Sequence, residues 1–495
     1  MTAEQIDFRT SPAPQRSRSL RARDHLVKDW DPENIDAWNA GGNTVARRNL
    51  VWSIFAEHIG FSVWSIWSVM VLFMPQNVYH IDAAGKFFLV AVPTLVGAVL
   101  RLPYTVAVSR FGGRNWTIAS ALLLLIPLVL TWWFMLRPGT SYGTYLIVAA
   151  CAGFGGGNFA SSMTNINAFY PARLKGWALG LNAGGGNIGV PVIQLVGLLV
   201  IATLGNRSPQ VVCATYLLLV GVAALGAALH MDNLDGQRSN AAAMLGVLKF
   251  ADSWLIAFLY IGTFGSFIGY SFAFGQLLQI NFLASPGTTA AKAALHAAQI
   301  AFLGPLLGSL SRPIGGLLAD RRGGAKITMW CFAAMALATM ILVITGTHND
   351  SHPGKIGPMI MVPYVIGFIL LFVISGVGNG SVYKMIPAVF AAKSIELKGN
   401  SSVEEVKGWE RSMSGALIGI AGAVGALGGV GINVILRASY AGPAKSATLA
   451  FWVFLAFYLV SIAVTWIAFV RRRDRSIALD RSARDRDHAQ TATRK

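Results

Sequence analysis

Apolar runs of about 20 residues, each ended by a short polar stretch, fill the chain from residue 49 to residue 470. A run of that length crosses a hydrocarbon core of about 30 Å as a helix. The pattern predicts twelve spans, near 49–74, 86–109, 115–136, 142–170, 175–203, 210–231, 252–282, 293–319, 325–346, 357–390, 411–437 and 445–470. The polar stretches between them alternate in character. One set, including "SRFGGRN", "YPARLKG", "ADRRGGAK" and both tails, carries most of the Lys and Arg. It is expected on the cytoplasmic side, with both termini. The other set, including "QNVYHIDAAG", "GNRSPQ" and "SPGTTAA", is poorer in cations and is expected outside.

The chain also repeats itself. Arg101 is followed by Arg110 and Gly112-Gly113; Arg312 is followed by Arg321 and Gly323-Gly324, at the same spacing. "GFGGGNFASSM" in the fourth span is echoed by "GVGNGSVYKMI" in the tenth. Two repeated halves with a site between them are the mark of a secondary transporter. The fold class expected is therefore an all-α integral membrane protein of two six-helix halves. The divisions expected are a tail (1–48), a first half (49–231), a linker (232–251), a second half (252–470) and a second tail (471–495).

Composition agrees with a membrane solvent. The chain is 54% hydrophobic and 13% charged, where a soluble domain carries roughly 25% charge. The net charge of +18 lies in loops and tails beside apolar spans, so it reads as membrane topology and not as a nucleic-acid surface. The first 48 residues lack an apolar core, so no cleavable signal is expected. Cys151, Cys213 and Cys331 stand alone inside apolar runs, with no metal or disulfide spacing. No cofactor motif is present; "GFGGGN" lies inside a span, without the strand that a dinucleotide site needs.

Two cations break the pattern. Nine residues separate Arg101 from Arg110, a rise of roughly 13 Å, which sets Arg101 near the bilayer midplane. The same arithmetic sets Arg312 at that depth in the other half. A charge there costs at least about 2.5 kcal/mol. Apart from Glu57, no carboxylate lies deep in a span to pair with them. Two arginines without two carboxylates leave a positive site, and a bound anion would complete it. Arginine suits that task because it stays charged and offers a planar fork of donors.

Other polar residues lie within the spans. Asn158 and Asn187 are amides in glycine-rich helix, and buried amides need partners; helix–helix bonding and anion binding both remain open for them. Gly176, Gly180 and Gly184 recur on one helix face and are expected to pack closely against a neighbour. Tyr260 and Phe264 are four apart on one face, placed either to fill the core or to wall a flat ligand.

"GNFASSMTNINAFYPARLKGWALGLNAGGGNIGV" and "GNGSVYKMIPAVF" resemble the two signature motifs of the nitrate/nitrite porter (NarK-type) family of the major facilitator superfamily, and "GGLLADRRGG" resembles that superfamily's loop motif. The resemblance spans all twelve helices and leaves out the tails and the loop near 391–409. It implies a non-enzymatic transporter of the cytoplasmic membrane, a monomer in the lipid bilayer, with nitrate and nitrite as substrates. By the same resemblance Arg101 and Arg312 hold the anion, Tyr260 and Phe264 are the aromatics of the seventh span, Asn187 is the asparagine of the fifth, and Phe61 covers the anion.

One departure stands out. "FAEHIGFSVW" puts Glu57 and His58 in the first span, and this "EH" is similar to the subgroup linked to proton-driven nitrate import. Glu57 is about 13 Å in from Arg48, deep enough for desolvation to suit it to carrying a proton. Its alternative is a salt bridge to Lys384 or to another cation. His58 points about 100° away, so the two need not act together. Proton symport is thus expected, with nitrate/nitrite exchange as the alternative. A membrane sensor or a membrane enzyme is disfavoured for want of an attached domain, a nucleophile–base pair or a metal cluster.

Overall fold

A computed structural model describes residues 25–235, 245–352, 357–398 and 402–471. Eleven helices among them are long and apolar enough to span a bilayer, and one bent pair makes a twelfth. In chain order they are α1 (Ile35–Trp64 with Ile66–Phe73), α2 (Ala83–Phe111), α3 (Gly113–Met135), α4 (Tyr142–Phe169), α5 (Arg173–Leu204), α6 (Pro209–His230), α7 (Ala251–Leu283), α8 (Ala290–Arg322), α9 (Gly324–Ser351), α10 (Ile360–Ser394), α11 (Glu405–Ala441) and α12 (Thr448–Val470).

The bend in α1, 44°, has a local cause. The Ser65 hydroxyl donates back to Phe61 O (2.9 Å) and Ser62 O (3.1 Å), competing with the helix ladder as serine does when it bends a helix. Trp64, just before the break, donates its indole N–H to Pro93 O of α2 at 2.8 Å. The residues beyond the break, Ile66–Phe73, are all buried.

The repeated Gly-Gly pairs have one structural role in both halves. Gly112 and Gly323 end α2 and α8 with φ of 85° and 90°, a region that costs other residues about 1–2 kcal/mol. The next glycine opens the following helix against the fourth helix of its half: Gly113 lies on Asn165, and Gly324 on Met385 and Ser381. Each arginine is thereby held at the same height above a matching turn.

Several boundaries differ from the sequence reading. The first helix begins well before residue 49, and residues 26–27 form a strand, β1 (Leu26–Val27), paired in parallel with β2 (Asn233–Leu234) after α6. Buried Asp232 secures this junction, accepting from Arg48 at 2.6 Å and Asn49 at 2.8 Å. The stretch 391–409, expected as a loop, is largely helical: α10 continues to Lys398, and the helix of α11 starts at Val403. Ser402 and Glu405 cap that start reciprocally. Residues 1–24 and 472–495, most of both expected tails, and 236–244 of the linker lie outside the described residues.

The two halves meet mainly through α2 with α11, and through α5 with α8. An Arg411–Glu33 pair at 3.9 Å joins them on the side of the termini, and further cross-bonds lie at midplane and toward the end remote from the termini. There Gln194 donates to Ser271 O (2.7 Å), Gln276 to Ala83 O (2.8 Å) and Gln279 to Leu72 O (3.0 Å). Phe87 stacks on Tyr440 in the same region. The close-packing expectation fails for one glycine row: Gly176, Gly180 and Gly184 face no atom within 4 Å, and neither do Gly408, Gly415 and Gly419 of α11. These faces lie in the half of each helix nearer the termini. The triplet Gly155–Gly157 does pack tightly, with Gly156 meeting Gly97 backbone to backbone.

Candidate anion site

Arg101 is 1% exposed and Arg312 9%. Arg101 is fixed by α4 and α11: its Nε donates to Gly156 O at 3.3 Å and its Nη1 to Gly422 O. Three rings surround its guanidinium, Phe159 at 4.7 Å, Phe264 at 5.2 Å and Trp64 at 5.5 Å. Arg312 donates from Nη2 to the Tyr260 hydroxyl at 3.4 Å and lies 4.9 Å from the Tyr383 ring.

A π-helical turn at Ile261–Gly265 in α7 brings Tyr260 and Phe264 face to face. Their centroids are 5.1 Å apart and their planes 6° from parallel. Such turns widen a helix and recur at functional sites. Phe264 also stacks on Phe159 across the two halves, and Tyr260 meets Tyr383. An unbroken row of rings therefore runs from one arginine to the other.

Each guanidinium keeps one nitrogen unused. Arg101 Nη2 and Arg312 Nη1 are buried without a hydrogen-bond partner, and among the described residues no carboxylate lies within salt-bridge distance of either. Buried donors of a charged group are costly to leave unpaired. Unpaired donors of this kind match the chemistry of an anion's acceptor oxygens.

Glu57 sits beside this centre, within the field of both arginines. Its Oε2 accepts from Ser162 and from Asn182 Nδ2 (2.6 Å), while its Oε1 has no partner. The salt-bridge alternative is not realised among the described residues, for Lys384 is paired with Asp320 at 2.9 Å. His58 turns away and donates from Nδ1 to Gly185 O at 3.2 Å.

The sequence-derived residues are thus distributed in layers. Arg101, Phe264, Tyr260 and Arg312 form a connected series of contacts in that order. Phe61 lies behind them, edge-on to Phe159 and Trp64. Asn158 lines a small polar pocket with Glu57, Ser53, Thr117, Ser120 and Ser162. Asn187 is buried with its carbonyl oxygen unpaired. Phe159, Tyr383, Trp64, Gly422, Ser162 and Asn182 were not singled out. Phe159 and Tyr383 lie just after the glycine-asparagine step shared by the two halves, so the echo itself was the available signal. Gly422 acts through its carbonyl and left no trace in the residue pattern. The three cysteines are free, and no metal-capable cluster occurs among the described residues.

Comparison with known proteins agrees with this architecture. The family model of the Major Facilitator Superfamily matches residues 59–430. The chain is 35% identical over 473 residues to the nitrate/nitrite transporter NarU of Salmonella typhimurium, covering 91% of this chain and 97% of that protein. It is 30% identical to the probable nitrate/nitrite antiporter NarK2 of Thermus thermophilus, covering 91% and 98%. Among solved structures, the nucleoside transporter NupG superposes with a TM-score of 0.59 at 12% identity, covering 85% of this chain and 99% of that one. A D-xylose-proton symporter gives 0.59 at 14% identity, covering 84% and 96%. These structural likenesses concern the fold alone. The sequence matches and the helical architecture together establish that the chain is a membrane transporter, not an enzyme, and belongs to the nitrate/nitrite porter (NarK-type) family of the major facilitator superfamily.

Proposed function

We propose that this protein imports nitrate across the cytoplasmic membrane by proton symport, with both termini in the cytoplasm. In this reading Arg101 and Arg312 hold the anion at the midplane and the two halves rock about it. The observation that carries the anion site is the pair of buried guanidiniums, each with an unpaired N–H and neither, among the described residues, paired with a carboxylate. The relatives' names, nitrate/nitrite transporter and nitrate/nitrite antiporter, support nitrate and nitrite as the substrates. The excess of cations on the side of the termini supports the orientation.

Glu57 supports proton coupling. Two guanidiniums and an ionised carboxylate carry one net positive charge, which a monovalent anion cancels. Protonating Glu57 raises the charge of the site and strengthens its hold on the anion. Proton and nitrate then help each other bind, which is the linkage a symporter needs. Exchange is the second reading, favoured by the antiporter name of one relative: there the arginines are neutralised only by an anion, and the empty carrier does not return.

Nitrate uptake into vesicles, with an imposed pH gradient and no anion inside, separates the two. Symport requires uptake that follows the gradient and fails in Glu57→Gln. Exchange requires uptake that ignores the gradient and appears only when nitrite is loaded inside.

A further inference from the structure

A second space lies between the halves, well away from the arginine pair, mostly apolar in its walls but with a few polar groups. A cavity of about 430 Å³ opens at the end remote from the termini, walled by the end of α1, the starts of α2 and α8, and the end of α7. Lys86 lines it, as do Gln76, Asn77, Gln276 and Gln279, and no carboxylate does. Lys86 stands fifteen residues before Arg101 on the same helix, a rise of roughly 22 Å.

Lys86 is only 9% exposed, and among the described residues its ammonium has neither an ion-pair nor a hydrogen-bond partner. Asp82 acts on it only at longer range. That carboxylate is engaged as the α2 cap, accepting from Gly85 N at 2.7 Å. The stem of Lys86 is buried while its ammonium is not among the fully buried atoms and reaches the open cavity, and the start of a 29-residue helix adds positive potential. The floor of the cavity is neutral: Gln276 donates to Ala83 O and Gln279 to Leu72 O, across the two halves. Each of these amides keeps a second N–H. Below them lies the Gln194–Ser271 bond, and then the ring row.

We propose that this cavity is an antechamber, in which Lys86 holds a small monovalent oxyanion before the halves part at this end and admit it to Arg101 and Arg312. The inference rests on the anion-transport reading for its purpose. The site itself rests on the cavity and on the unpartnered ammonium. Parting the halves here breaks three neutral amide–carbonyl bonds and no ion pair, so the waiting anion does not compete with a salt bridge in the gate.

The test uses nitrate and the full-length protein. In vesicles of sorted orientation, KM is measured from each face at low and high salt. Lys86→Met is expected to raise the KM at the cavity face about tenfold, equivalent to ~1.4 kcal/mol, and the effect shrinks as salt screens the charge. The KM at the terminal face stays as it was, and Lys86→Arg restores the cavity-face value. An unchanged KM, or an equal rise at both faces, overturns the proposal. A binding arm does not require transport. Nitrate is titrated against the thermal stability of the Arg101→Lys/Arg312→Lys double variant, whose central site is impaired. A residual stabilisation that Lys86→Met removes supports the antechamber; no stabilisation, or one that survives Lys86→Met, overturns it. If the wild type moves no nitrate, the transport reading fails, and the binding arm still decides the site.

Discussion

Arg312→Lys keeps the charge of the central site and changes only its shape, which makes it the sharpest perturbation of the anion reading. Arg312 uses one nitrogen, Nη2, on the Tyr260 hydroxyl and leaves Nη1 free. Its planar fork lets the two point in different fixed directions. An ammonium on a shorter stem cannot reach both the phenol and the anion from the same backbone position. One charge-assisted hydrogen bond is then lost, worth about 1.5–3 kcal/mol, and the contact with the Tyr383 ring at 4.9 Å weakens as well. The loss corresponds to roughly 10- to 150-fold in nitrate affinity. Calorimetric titration of the purified variant reads it directly, and uptake in vesicles should fall at least in proportion. Affinity within twofold of the wild type would mean that the site senses charge alone, and the fork argument would fail.

Glu57→Gln fixes the site in its higher-charge state. Nitrate binding should persist and lose its pH dependence, whereas the wild type binds more tightly as pH falls; pH-gradient-driven accumulation should vanish while nitrate counterflow continues. A variant that still accumulates nitrate up its gradient removes Glu57 from coupling. Tyr260→Phe deletes the acceptor of Arg312 Nη2 and should weaken nitrate binding by about 1 kcal/mol, roughly fivefold; unaltered affinity would show that the phenol does not orient the guanidinium. Gly422→Ala sets a methyl 3.2 Å from Arg101 Nη1 and 3.5 Å from Phe159, a tighter contact than side chains normally make, and should lower the uptake rate with little loss of folded protein on gel filtration. Normal uptake would mean that α11 does not need that carbonyl against Arg101.

The architecture was legible because a bilayer imposes a single solvent on every span. Twelve apolar runs, a cation bias on alternate loops and a twice-repeated arginine-to-Gly-Gly spacing left little freedom in the fold. The arginines were legible for the same reason, since a guanidinium in hydrocarbon contradicts its surroundings. What escaped were contacts that need three-dimensional register. The π-helical turn that stacks Tyr260 on Phe264 has no signature in "YIGTFG". Asn182 and Ser162 come to Glu57 from two other helices, and as single polar residues in glycine-rich stretches they resembled any helix-bonding group. The glycine row of Gly176, Gly180 and Gly184 was misread as packing because spacing reports which residues share a face and not what faces them. In the structure that face meets no other atom within 4 Å.

The backbone carbonyl on Arg101 gives the transport cycle a physical trigger. Arg101 Nη1 belongs to the first half and Gly422 O to the second, so this bond ties the halves at the height of the site. A carbonyl dipole is a weaker partner for a guanidinium than an anion is. In the proposed mechanism, nitrate replaces or reinforces that bond and adds a second partner, Arg312, on the same side of the interface as Gly422. With Phe159 stacked on Phe264 across the halves, the anion closes a continuous contact from α2 through the ligand to α8. In that proposal the halves are tied through the substrate as well as through the cross-bonds at the far end. Substrate-dependent rocking follows from that exchange of partners. Rocking of the empty carrier needs the arginines compensated in another way, and ionised Glu57, inside the field of both, is the group positioned to do so.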